Sequence, residues 1–238
     1  MKYFYLAFLI TILFPLFSSA QNINADSTQK QSVINDPVKF FVGVSLNSFS
    51  GDVSSSTDAL NNAKTSKSTM PGFDLGVDIP LDQSNIWIFR AESGITSNNN
   101  SFNAQDITGS VTQMSEAISF KQTIINITPQ IIFNVIKTGA LDVYLSTGMV
   151  IDIRSYKDKS YTSTTTYSTS GTTNTSSLPE PDYKSATFCV PAKVGVVIAK
   201  HINLFAAYNA KTSLNDDSTF AINETSFVVG LNYIFGSK

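Results

Sequence analysis

The chain has 238 residues, with 16 Lys and Arg against 18 Asp and Glu, for a formal net charge of −2. That balance, with no basic run or patch, excludes nucleic acid as an expected partner. Hydrophobic residues make up 42% of the chain, yet beyond Phe17 no apolar stretch approaches the roughly 18 residues that a helical membrane span requires.

In chain order, the first element is an export signal. Lys2 supplies positive charge, Tyr3 to Phe17 is almost wholly apolar, and Ser18-Ser19-Ala20 offers the small residues of a cleavage site. This predicts a signal peptide over residues 1–20. Residues 21–37 are polar and aperiodic and read as a disordered periplasmic leader. Residues 38–238 form one domain.

That domain reads as eight strands, each alternating apolar and polar residues with a period of two. Strand one, Lys39 to Phe49, sets Phe40, Val42, Val44 and Leu46 against Gly43, Ser45 and Asn47. Strand two, Gly72 to Leu81, sets Phe73, Leu75, Val77, Ile79 and Leu81 against Asp74, Gly76, Asp78 and Pro80. Strand three, Ile86 to Thr96, turns Trp87, Phe89, Ala91 and Ile95 away from Arg90, Glu92 and Gly94. Strand four, Ile118 to Ile136, opposes its isoleucines to Asn126, Thr128, Gln130 and Asn134. It contains Pro129, which removes a ladder donor, so a bulge is expected there. Strand five is Leu141 to Tyr156, with Asp152 and Arg154 on its polar face. Strand six is Ala186 to Ala199, with Cys189 and Lys193 on its polar face. Strand seven is Ile202 to Thr212, with Lys211 on its polar face. Strand eight is Glu224 to Phe235, with Ser226, Gly230 and Asn232 on its polar face.

Short turns at Asp82–Asn85, Lys137–Ala140 and Lys200–His201 alternate with long Ser/Thr/Asn-rich connections at Ser50–Met70, Ser97–Ala117, Lys157–Ser185 and Ser213–Asn223. Structureless loops of that length are uncommon in compact soluble domains. They are usual on the outer face of membrane barrels. The expected fold is therefore all-β: an eight-stranded, antiparallel, up-and-down transmembrane β-barrel. A soluble barrel would place its apolar residues inside and its charges outside. Here one face is large and apolar while the other is small or polar. Aromatic girdles are expected at the turn side (Phe40, Trp87, Phe133, Tyr233, Phe235) and at the loop side (Phe49, Phe73, Phe120, Phe188).

The inward faces collect Asp74, Asp78, Glu92 and Asp152 as acids and Arg90, Arg154, Lys193 and Lys211 as bases. Eight strands enclose a space just wide enough for side chains. The expectation is a salt-bridged luminal network with balanced charge, a packed plug rather than an ion path. Arg90 is paired first with Asp74 or Asp78. Catalytic and metal chemistry find no footing. His201 is the single histidine and lies in a turn, Cys189 is the single cysteine, and neither has the spacing of a metal site. Asp216-Asp217 is too small a group to hold a cation by itself. No cofactor is expected.

The Ser18-Ser19-Ala20-Gln21 region, the glycine-bearing Phe41-Val42-Gly43-Val44 and the closing Val228-Val229-Gly230-Leu231-Asn232-Tyr233-Ile234-Phe235 resemble those of small outer-membrane β-barrel proteins of Bacteroidota. That group includes PorT-like barrels, and the resemblance covers the whole mature chain. Its closing stretch looks like the aromatic-ended strand that the barrel-assembly machinery recognises, extended here by Gly236-Ser237-Lys238. The resemblance implies a cell outer membrane location and contact with its lipid. It carries over no activity and no site residue, since the group spans secretion accessories and barrels of many roles. The expected function is non-enzymatic: a monomeric structural or surface-interaction barrel that meets an extracellular or secretion-complex protein through its four long loops. The alternatives are a PorT-like secretion or transport accessory and an outer-membrane lipid-modifying enzyme.

Overall fold

A computed structural model of the chain describes residues 38–55, 66–108, 112–167, 170–216 and 220–236. The expected signal peptide and leader lie outside the described residues. Among the described residues there are eleven strands: β1 (Lys39–Ser55), β2 (Ser66–Pro80), β3 (Trp87–Thr108), β4 (Thr112–Lys137), β5 (Leu141–Gly148), β6 (Val150–Tyr167), β7 (Thr172–Ser177), β8 (Ala186–Cys189), β9 (Pro191–Ile198), β10 (Ile202–Ser213) and β11 (Phe220–Phe235). All pair antiparallel in one sheet.

The sheet closes on itself. β1 pairs with β2 on one side and β11 on the other; β2 pairs with β3, β3 with β4, β9 with β10, and β10 with β11. Between β4 and β10 the wall is built from two broken strands. The turn-side half of β4 pairs with β5, which pairs with β9; its other half pairs with β6, which pairs with β8. Counting β5 with β6 and β8 with β9, the ring has eight members. On the turn side closure leaves no free edge, so backbone groups are tied off strand to strand, whereas on the hairpin side β8 forms a ladder with β6 alone.

The breaks have a local cause. β5 gives way to β6 at Met149, and β8 to β9 at Val190, while the pairing register continues unchanged across both positions. Met149 donates its N–H to the Pro129 carbonyl at 3.1 Å, but Pro129 has no N–H to return. Pro191 removes a second donor next to Val190. The bulge expected at Pro129 is absent. The β3–β4 register runs through Ala91↔Pro129 without a shift, and the proline is accommodated by opening the ladder. Register shifts occur instead at Ser119/Lys121, Asn134/Ile136 and Asn209/Thr212.

The long connections are not structureless. β3 and β4 pair continuously from Trp87↔Phe133 to Thr108↔Thr112, so Ser97–Ala117 is mostly a raised hairpin. β6 runs to Tyr167 and folds back as β7, pairing Thr162↔Ser177 through Tyr167↔Thr172. Threonine favours strands, and cross-strand threonine pairs add contacts: Thr164 with Thr175 at 3.2 Å and Thr166 with Thr173 at 3.4 Å between hydroxyl oxygens. Beyond the ring, β3, β4, β6 and β7 thus continue as a four-stranded sheet on one side of the mouth.

At the opposite end lie the three short turns. Asn85 has φ 53°, Gly139 has φ 78°, and Ala199 and Lys200 have φ 49° and 65°. The last pair forms a two-residue hairpin turn with left-handed backbone at both positions, closed by His201 N–H to the Ile198 carbonyl at 3.1 Å. That turn is therefore Ala199–Lys200, one residue earlier than the sequence suggests.

Polarity is inside-out. Phe73 and Leu75 are 47% and 49% exposed on the outer face, while Asp74 and Asp78 are buried within the ring. Leu81 is exposed and Ile79 half-buried, whereas Val77, paired with Phe40 and Ala91, is covered. Phe40, Trp87, Phe133, Tyr233 and Phe235 are exposed near the turn side, as are Phe73 and Phe188 farther up. Phe49 and Phe120 correct the expected girdle. Both are buried inside, because Phe49 has the parity of Ser45 and Asn47, and Phe120 that of Gln122 and Thr128.

Candidate functional site

The ring's interior is stacked in layers from the turns toward the raised hairpins. Nearest the turns, Asp78 and Arg90 face each other across β2 and β3. Arg90 donates from Nε to Asp78 Oδ1 at 2.6 Å and from Nη2 to Oδ2 at 2.7 Å. This is the bidentate geometry that a guanidinium and a carboxylate favour. The same guanidinium lies 4.7 Å from the Phe41 ring centroid and reaches Tyr144 Oη at 3.4 Å. Tyr144 passes its own proton to Asn203 Oδ1 at 3.0 Å. Its ring fits because β9 has a glycine opposite: a Cβ on Gly195 would stand 2.3 Å from the Tyr144 ring.

In the next layer Lys193 Nζ contacts Glu92 Oε2 at 2.7 Å and lies 4.0 Å from the Phe205 ring centroid. Gln130 donates to the same Glu92 oxygen at 3.2 Å and accepts from Ser146 at 2.8 Å. Above it, Arg154 donates to Asp152 at 2.6 Å, to Glu224 at 2.7 Å, to Gln122 at 2.9 Å and to Thr187 at 2.9 Å. Glu224 also accepts from Gln122, Asn98 and Asn100. A stopper of Val53, Phe102, Ile118, Phe120, Leu214, Phe220 and Ile222 closes the hairpin-side mouth, with Tyr156, Tyr161 and Tyr183 packed on it. Tyr156 and Tyr183 stack at 4.6 Å, and burial raises the Tyr183 phenol above its ordinary value.

Of the eight sequence-derived residues, the interior brings together Asp74, Asp78, Arg90, Glu92, Asp152, Arg154 and Lys193. Arg90 takes Asp78 and not Asp74, because Asp74 lies opposite Gly94. Lys211 is the exception. It is exposed and pairs with Asp52 at 2.7 Å near the rim. The register shift between Asn209 and Thr212 inserts one residue into β10 and reverses which side it presents. Glu224, which sequence reasoning did not place in the network, is the acceptor that joins four strands, β3, β4, β6 and its own β11; its two-residue phase with Ser226 and Asn232 was the available signal.

The balance of interior charge changes accordingly. The buried acids are Asp74, Asp78, Glu92, Asp152 and Glu224; the buried bases are Arg90, Arg154 and Lys193. Among the described residues, the network expected to be neutral instead carries two formal negative charges in excess.

No family model matches the chain, and no curated protein matches it. Among solved structures, it is similar to the outer membrane protein OprG from Pseudomonas aeruginosa, with 12% identity, a TM-score of 0.45, and coverage of 85% of this chain and 98% of that one. Neisserial surface protein A gives 14% identity and a TM-score of 0.41, covering 82% of this chain and 96% of the other. Ail, the attachment invasion locus protein of Yersinia pestis, gives 12% and 0.37, covering 82% and 98%. These scores are too low to carry a functional argument.

Chemically, the interior is a series of buried ion pairs, Asp78 with Arg90, Glu92 with Lys193, and Asp152 and Glu224 with Arg154, with Asp74 outside them. Among the described residues no group of three or more His, Cys, Asp or Glu is arranged to hold a metal ion. His201 stacks on Tyr233 at 5.7 Å, with Nδ1 3.1 Å from the Ile234 carbonyl, at the turn end. Of the Asp216-Asp217 pair, Asp216 contacts Lys184 at 3.2 Å, and Asp217 lies outside the described residues.

Proposed function

We propose that the chain is a non-enzymatic outer-membrane β-barrel that acts at the cell surface through its raised hairpins. The observation that carries this reading is the inside-out polarity: an exposed apolar belt around a closed ring, with buried ion pairs within. In hydrocarbon every backbone polar group needs an internal partner, and only a helix or a closed ring of strands supplies that. An apolar outer face needs no water, and a polar interior is shielded from lipid by the wall.

On this reading residues 1–20 direct export, and the closing strand presents its aromatic end to the barrel-assembly machinery. The three short turns face the periplasm, and the hairpins β3–β4 and β6–β7 stand outside the cell. The lumen serves as a plug, since, among the described residues, the ion-paired layers and the aromatic stopper leave no continuous path through it. The hairpins are rich in Ser, Thr and Asn, suited to adaptable polar contacts with a protein partner on a rigid scaffold. The chain works as a monomer in lipid.

Fractionation joined to heat-modifiable gel migration tests the location. The expected result is a faster-migrating folded band in the outer-membrane fraction that shifts on boiling. A soluble periplasmic protein without that shift overturns the assignment. Deleting 162–177 tests the role: surface binding is lost while the folded band persists.

A further inference from the structure

Between the Arg90 and Arg154 layers lies a cavity of about 50 Å³, lined in part by Asp74, Glu92, Asp152, Asn126 and Thr128. At roughly 10–15 Å³ of such volume per water, it holds about four small particles and no organic solute. Two of its acids are compensated: Glu92 by Lys193 and Asp152 by Arg154, each within 2.7 Å. The further excess charge, on Glu224, is spread over Arg154 and three amide donors.

Asp74 has no such arrangement. It is 6% exposed, and its Oδ2 has no hydrogen-bond partner among the described residues. Its cross-strand partners are Gly43 and Gly94, its side-chain hydrogen bond is with the neutral Ser45 hydroxyl, and the base that lines the same cavity, Lys193, is already bonded to Glu92. A buried carboxylate without a partner needs either a counter-charge or a proton, and the space that Asp74 faces is where a counter-charge would sit. The surrounding donors are oxygens: the carboxylate itself, with the side-chain oxygens of Asn126 and Thr128. Oxygen ligands select hard cations. One uncompensated negative charge calls for one positive charge.

We propose that the cavity beside Asp74 binds a single monovalent cation of sodium or potassium size, which keeps part of its water. The ion completes the charge balance of the interior and locks the Asp74 and Glu92 layer in place. The inference goes beyond the surface role proposed above and rests on the geometry of the ring's interior alone.

The test is the urea unfolding midpoint of the full chain, extracted from its membrane in detergent. It is measured in NaCl, in KCl and in choline chloride at equal ionic strength, since choline is too bulky for the cavity. The expected result is a midpoint that rises with the logarithm of sodium or potassium concentration over that in choline. In Asp74→Asn the salts become equivalent, and the midpoint in choline exceeds that of the unsubstituted chain. Asp74→Ser serves if the asparagine variant does not fold. Equal midpoints in all three salts for the natural sequence overturn the proposal, as does a full sodium response retained in the variant. A protonated carboxyl C=O stretch in the infrared spectrum in NaCl, lost in the variant, would assign a proton in the ion's place and also overturn it. Stabilisation by MgCl2 or CaCl2 well beyond that by NaCl would refute the monovalent assignment.

Discussion

Arg154 and Glu224 meet at 2.7 Å from β6 and β11, strands that are not neighbours in the ring. The pair is a strut across the interior, with both side chains almost wholly buried. Removing one partner of a buried pair leaves the other uncompensated, at about 3–5 kcal/mol. Glu224→Ala should cost toward the lower end of that range, because Arg154 retains Asp152. Arg154→Met should cost more, since it strands both acids. Their coupling, read from urea unfolding of the two single variants and the double variant in lipid vesicles, should lie within about 0.5–3 kcal/mol. Additive losses would show that the strut is not a mechanical element.

Leu75 discriminates between lipid and water as the medium around the ring. It is half exposed on the outer face. In a bilayer, Leu75→Arg near the midplane should destabilise by roughly 2–4 kcal/mol. On a water-facing surface the same change stays within about 0.5 kcal/mol. Unfolding of the variant from phospholipid vesicles decides the matter.

Gly195 is held by the ring opposite it. Gly195→Ala places a methyl group inside the Tyr144 ring, and the tyrosine cannot swing away without giving up Asn203. Overpacking of this kind costs typically about 1–3 kcal/mol. Tyr144→Leu, made together with Gly195→Ala, should recover part of that loss. A single variant as stable as the natural sequence would mean that the interior is looser than the geometry indicates.

The first turn has a pH dependence of defined sign. Asp82 accepts from the Ser84 hydroxyl and, at 2.7 Å, from the Trp87 N–H. The Ser84 bond, more than any other contact, holds its carboxyl below the ordinary value of 3.8. A depressed carboxylate stabilises the turn fully above its unfolded value and loses that contribution as pH falls through the folded one. The Trp87 amide resonance should therefore be flat from neutral pH down to about 4, the ordinary carboxylate range, and move only below it. A midpoint at or above the ordinary value would contradict the assignment, and Asp82→Asn should abolish the titration.

The period-two pattern carried most of the ring, because a strand with one lipid-like and one polar side writes its orientation into alternate residues. Asp74, Asp78, Arg90 and Glu92 were legible for that reason. Phe49 and Phe120 were legible too: each shares the phase of the inward polar residues beside it, and only their size suggested a rim position. Lys211 was not. A bulge flips every side chain that follows it, and the shift at Asn209/Thr212 depends on what β11 offers across the ladder. The raised hairpins were hidden by composition. Ser, Thr and Asn in a row signal a loop when read singly, yet zipped against an equal partner they make a strand.

Among the described residues, the β3–β4 hairpin rises on one flank of the ring. From Ser97 to Thr108, β3 climbs past its last pairing with β2 at Thr96, roughly 40 Å of extended chain at about 3.3 Å per residue. The β10 flank ends at Ser213. Among the described residues, a visitor approaching from the β3–β4 flank meets a Ser/Thr/Asn-rich screen before the stopper. On the surface role proposed above, a partner held by this hairpin would be met from one compass direction.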